Sequence, residues 1–312
     1  MRLTASAPGS IMITGEHAVV YGHPAIVAAI EQRVRITAEV LAEPRIELHS
    51  EIAPPLSVGL ENLSTDGPYR FVLSAIALYK DQLPGGVRLD IRSDIDPTLG
   101  LGSSAAVTIA TLGLCARLSG ADQTGLHGQA LRIIRAIQGR GSGADLAASL
   151  HGGMISYQLP DSMLGDLSDG PVRAQISNLP NPPQLGLCYA GYKTPTAEVL
   201  AQIAARMAGN EAEFATLYAR MGASATAAIA AAKTANWPAF GSELTTYQAL
   251  MQQLGVCDET LAQIIARAQT APDLLAAKIS GSGLGDCVVA VGALPDGFTP
   301  APLAQKGLIF HD

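Results

Sequence analysis

Residues 99–113 read LGLGSSAAVTIATLG. Gly100 and Gly102 flank a single leucine, Ser103 and Ser104 follow, and an alanine-rich apolar run then predicts a helix to about Leu118. A tight turn needs one glycine; a pair lets backbone approach a ligand closely and adopt positive φ. A helix opening here leaves its first N–H groups unpaired and carries partial positive charge at that end. Such a terminus suits phosphate. The two serines could instead cap the helix with no ligand present. The stretch is not a Walker A loop, since it has no lysine, and position 105 is alanine where the dinucleotide fingerprint needs glycine.

Outward from this turn the chain predicts mixed α and β structure. Ser10–Glu16 is apolar and partly β-branched. In Arg33–Leu41, Val34, Ile36, Ala38 and Val40 alternate with Arg35, Thr37 and Glu39, the period of a sheet with one buried face. Helices are predicted over Tyr69–Leu83 and up to Gly139. After the loop-like segments near residue 175, a strand at QLGLCYAGY precedes helices over Thr196–Ala208, Glu211–Ala235 and Phe240–Leu254. Trp237-Pro238 is expected to separate the last two, because the residue before proline disfavours helix. Without regular βα alternation the fold class is α+β. At 312 residues two lobes are expected, 1–175 and 176–312.

Composition narrows the function. A net charge of -7 argues against nucleic acid as a general partner, although local amides and cations can still bind an anion. No apolar stretch reaches the roughly 20 residues of a membrane span, and none near the N-terminus resembles a signal peptide. A cytoplasmic location is expected. Cys115, Cys188, Cys257 and Cys287 are scattered without a CxxC pair and read as buried free thiols.

Two more glycine turns carry chemistry. GRGSGAD (residues 139–145) places Asp145 among small residues, where its carboxylate could orient or deprotonate a hydroxyl; it could equally cap the following helix. SGSGLGD (residues 280–286) lies between two strand-like runs.

Through these three stretches the sequence resembles the GHMP kinase superfamily. The motifs are APGSIMITGEHAVVYGHPAI, GLGSSAA and KISGSGLGDC, in the family's order and across essentially the whole chain. The GEHAVVYGHPAIVAAI segment is most similar to the mevalonate kinase branch. The resemblance implies two α+β lobes, the first like ribosomal protein S5 domain 2 and the second ferredoxin-like. It implies ATP and Mg²⁺, and transfer of phosphate to a small-molecule alcohol, with mevalonate as the expected acceptor. Gly100, Leu101, Gly102, Ser103, Ser104 and Ala105 would wrap the ATP phosphates, with Ser104 also near Mg²⁺. Asp145 would be catalytic. Glu16, His17, Thr196, Gly281 and Gly283 would line the substrate site. A homodimer is the expected assembly.

Four departures stand against the family pattern. Ser10 occupies the place of a lysine credited with activating the attacking hydroxyl. Ile134, eleven residues before Asp145, occupies the place of a metal-binding glutamate. Asp286 replaces a glycine in the third motif, where it would repel phosphate unless turned away, and Pro97 sits one position nearer the phosphate turn than is typical. One cation and one anion are lost together, which suggests a compensated site, with Arg140 or Lys193 as the stand-in cation. The rival readings are another GHMP kinase, such as one acting on phosphomevalonate, and a nucleotide or metabolite sensor that has lost transfer.

Overall fold

The structure, a computed structural model, describes residues 1–96, 99–165, 167 and 171–311; Pro97 lies outside them. Two β-sheets organise the chain. The first has the order β12-β1-β2-β5-β3-β4, with β6 beside β2 and β7 beside β6. Its long members are β1 (Arg2–Thr14) and β2 (Ala25–Leu41), joined antiparallel. β3 (Arg45–Ser50), β4 (Leu56–Gly59), β5 (Gly86–Ser93), β6 (Met154–Gln158), β7 (Gln175–Leu179) and the terminal β12 (Ile309–His311) complete it.

In the second half of β2 the expected alternation holds, with Val34, Ile36 and Ala38 buried and Arg35 and Glu39 exposed. The first half, Ala25–Ile30, is buried on both faces. A strand covered on both sides loses its period-2 signature, and that is why β2 begins well before the strand read from the sequence.

Four helices cover the sheet: α1 (Arg70–Ala77), α2 (Ser103–Ser119), α3 (Leu126–Gln138) and α4 (Ala144–His151). α2 and α4 pack on β1 and β2. α1 ends six residues before the expected Leu83. α3 ends where expected, at a left-handed Gly139.

The second lobe is a four-stranded sheet, β11-β8-β10-β9, formed by β8 (Leu185–Lys193), β9 (Leu274–Ser280), β10 (Gly285–Gly292) and β11 (Thr299–Pro300). α5 (Thr196–Met207), α6 (Glu211–Lys233), α7 (Trp237–Leu254) and α8 (Glu259–Ala268) supply its own core. Trp237-Pro238 opens α7 rather than preceding it. Asn236 accepts from the Ala239 N–H at 3.2 Å, and a proline in the first turn has no intrahelical bond to lose. The division expected at 175/176 falls at the start of β7, which pairs with β6 to Leu179, and β12 returns to pair with β1. Cys115 and Cys287 are buried, whereas Cys188 and Cys257 are half-buried; all four are free. No described helix is long and apolar enough to cross a membrane.

Candidate active site

The three glycine turns meet around β1. α2 is capped by Gly102, at φ +69°, with no side-chain cap. Ser103 and Ser104 are therefore its first two residues, not its caps. The N–H groups of Ser103, Ser104 and Ala105 have no hydrogen-bond partner among the described residues. The turn is fixed from below, where the Ser10 N–H donates to the Leu101 carbonyl at 3.0 Å and Leu101 is buried. A methyl on Gly102 would stand 2.3 Å from Ser10 Oγ. Gly102→Ala therefore meets both that clash and a backbone region that costs an L-residue about 1–2 kcal/mol. We expect a destabilisation of that size, read as a lower denaturant midpoint at unchanged slope, together with weaker binding of ADP.

Asp145 sits in the first turn of α4, partly accessible, and its Oδ1 accepts from Ser10 Oγ at 3.1 Å. One serine thus touches both the Gly100–Gly102 turn and the carboxylate. The loop before Asp145 is held by three donors on three successive carbonyls. Arg135 Nε reaches Gly141 O at 3.0 Å, the Tyr157 hydroxyl reaches Ser142 O at 2.6 Å, and His127 Nε2 reaches Gly143 O at 3.0 Å. Burial raises the Asp145 pKa above the usual carboxylate range; Ser10 and Lys193 oppose that shift and Glu16 adds to it. Such a group is a better proton acceptor than an exposed aspartate.

Glu16 and His17 are both buried. Glu16 Oε1 pairs with Lys278 Nζ at 2.5 Å, while Glu16 Oε2 has no partner among the described residues. Lys278 also donates to the Ile279 carbonyl and lies over the Tyr247 ring, 5.5 Å from its centroid. The Tyr247 hydroxyl donates to the Glu16 carbonyl at 2.7 Å. His17 Nε2–H donates to Ser282 O at 2.9 Å, and burial pushes its pKa down to about 4. It is neutral at pH 7, with Nδ1 as its acceptor. The first motif is thereby tied to the third.

In the third turn, a methyl on Gly281 would lie 2.9 Å from Asp286 Oδ2, and one on Gly283 would lie 2.3 Å from the Val256 carbonyl. Asp286 is buried and paired with Lys193, Nζ to Oδ1 3.1 Å. Thr196 is exposed at the start of α5, Arg140 is exposed, and Ile134 is buried against the Gly141 turn. The sequence reading missed Lys278, His127, Arg135 and Tyr157. A lysine in an otherwise apolar strand, AAKIS, was the one available signal; the other three act on backbone carbonyls, which leaves no pattern.

The model of the GHMP kinases N terminal domain matches residues 70–153, and that of GHMP kinases C terminal matches residues 228–297. The mevalonate kinase of Pyrococcus furiosus is 32% identical, over 93% of this chain and 89% of that protein. The mevalonate kinase of Methanothermobacter thermautotrophicus is 28% identical over 93% and 90%. A crystal structure of a Listeria innocua protein superposes with TM-score 0.87 at 24% identity over 100% of both chains. That of the Methanococcus jannaschii mevalonate kinase gives 0.72 at 21% identity over 93% and 90%. The chain belongs to the GHMP kinases, phosphotransferases that act on a small-molecule alcohol. Within that class, the relatives just described that carry a functional name are mevalonate kinases.

Proposed function

We propose that this chain transfers the γ-phosphoryl group of ATP to the hydroxyl of mevalonate, giving 5-phosphomevalonate and ADP in the cytoplasm. The observation that carries it is the link through Ser10, which joins the Asp145 carboxylate to the turn bearing the unpaired amides of α2. Those amides would receive the phosphates of ATP. Asp145 would accept the hydroxyl proton as the oxygen attacks phosphorus in line, with no covalent enzyme intermediate. Glu16 Oε2, His17 and Thr196 are the proposed acceptor contacts, with Gly281 and Gly283 shaping the rim. Glu16 Oε2 supports this as a buried oxygen without a partner among the described residues.

The residues present fit Mg²⁺. A serine hydroxyl beside phosphate oxygens suits an ion bound mainly by phosphates with one or two protein oxygens. Ser104 Oγ would supply such an oxygen, and the ion, when bound, neutralises phosphate charge. The test is ADP release from Mg-ATP with mevalonate, phosphomevalonate, homoserine and galactose. Turnover confined to the last three would overturn the acceptor, and none at all with ATP still bound would leave a sensor.

Ser10 bears on how the site manages charge. It is 1% exposed and wedged between Gly102 and Asp145. Ser10→Lys removes the hydroxyl that Asp145 accepts from and puts a long cation into the buried space between Gly102 and Asp145 that a serine now fills. We expect turnover to stay level or fall; a gain above about tenfold, equivalent to 1.4 kcal/mol of barrier, would sink the idea of a compensated site.

A further inference from the structure

We propose that Lys193 is the cation that meets the transferred phosphoryl group in this site, with Asp286 as its counter-ion while no nucleotide is bound. The inference rests on the phosphotransfer reading but not on the identity of the acceptor. Close to Asp145 the first lobe offers little positive charge: Ser10 is neutral, Ile134 is apolar, Arg135 is spent on the Gly141, Met163 and Gly165 carbonyls, and Arg140 is exposed. The second lobe supplies it.

The placement of the pair follows from the strands. β8 ends at Lys193, which pairs with Gly285 of β10, and the next register pair is Cys287 with Tyr189. Asp286 lies in that irregularity at φ +66°. Irregularities of this kind re-aim a side chain, and here the Asp286 carboxylate is turned inward, 3% exposed. A methyl on Gly100 would stand 2.8 Å from Asp286 Oδ1 and 3.0 Å from Lys193 Nζ. The pair therefore touches the first glycine of the phosphate turn, which explains why that position holds no side chain. Lys193 also draws the Asp145 pKa down, so its field reaches the proposed base as well.

The contact is poised rather than locked. Asp286 is buried, whereas the Lys193 side chain beside it is 32% exposed and free to turn. Phosphate arriving at α2 gives the ammonium a better partner. A cation held between the two also screens the Asp286 carboxylate from that phosphate.

The experiment compares Lys193→Met, Lys193→Arg and Asp286→Asn with the parent chain, by calorimetric binding of ADP and of the β,γ-imido analogue of ATP. Lys193→Met should lose about tenfold of the preference for the ATP analogue over ADP, and Lys193→Arg should restore part of it. With whichever acceptor turns over, Lys193→Met should lower kcat by about 10²-fold and move the acid limb of the pH profile upward. Asp286→Asn should keep the analogue preference. An unchanged ratio in Lys193→Met, or equal loss in Lys193→Met and Asp286→Asn, would reduce the pair to a structural clip and overturn the proposal. If no acceptor in the panel is phosphorylated, the mevalonate reading falls while the binding ratio still decides the role of Lys193.

Discussion

Asp145→Asn is expected to lower kcat by about 10²–10⁴-fold while nucleotide affinity stays within about threefold and the folded structure persists. The amide is isosteric and can still accept from Ser10 Oγ, so the 3.1 Å contact that ties Asp145 to the phosphate turn survives. What disappears is the ability to take a proton from the attacking hydroxyl. In the proposed reading ADP binds through the α2 amides, which the substitution does not touch. Retained turnover in Asp145→Asn would remove the base from the mechanism, whereas loss of both turnover and binding would mean that the site had collapsed.

The same residue makes a linked prediction for pH. Burial raises the Asp145 pKa in the folded chain above its unfolded value. Between those two values the folded state binds more protons, so stability falls as pH rises through the window. Above that window the Asp145 carboxylate is thus a stability cost, whatever it contributes to turnover. Asp145→Asn should raise the melting temperature at pH 7, and the difference should vanish below the unfolded carboxylate pKa, near 4. For the active chain, the acid limb of kcat/KM should lie above the usual carboxylate range for the same reason.

Much of this arrangement was legible in the sequence, and the limits were physical. GLGSSAA announced a helix N-terminus through its glycines and small residues, although α2 already includes Ser103 and is capped by Gly102 rather than by a serine. Asp145 was legible because a carboxylate in a glycine turn has room beside it. The first half of β2 hid because burial on both faces erased alternation, and Pro238 misled because a proline suits the first helical turn as well as a break. Lys193 could be named only as one of two cations. Choosing it required the β8–β10 register and the inward turn of Asp286, which depend on residues about 90 positions apart. Lys278 was overlooked because its partner lies 262 residues away.

That pair carries the second large effect. Lys278→Met should destabilise the chain by about 3–5 kcal/mol, the cost of leaving one member of a buried ion pair without its partner. Lys278 is 0% exposed and Glu16 3%. Without the ammonium, Glu16 must either stay charged in an apolar setting or take up a proton. The Ile279 carbonyl loses its donor at the same time, and the Tyr247 ring loses the cation above it. Methionine fills nearly the volume of the lysine stem, so the loss reports charge more than cavity. Glu16→Gln/Lys278→Met then separates the pair from its surroundings. It removes both charges while keeping shape, and should recover at least half of the single-variant loss, because a buried pair contributes little beyond what its own desolvation costs. Recovery of stability without recovery of turnover would place Glu16 in the acceptor site as well as in the core, since the amide cannot replace Oε2 as a charged acceptor. Full recovery of both would restrict Glu16 to joining the first and third motifs. A stability loss under about 1 kcal/mol in Lys278→Met would mean that Glu16 is readily reached by water, and the packing of the first motif on the second lobe would then rest on the Tyr247 and His17 hydrogen bonds.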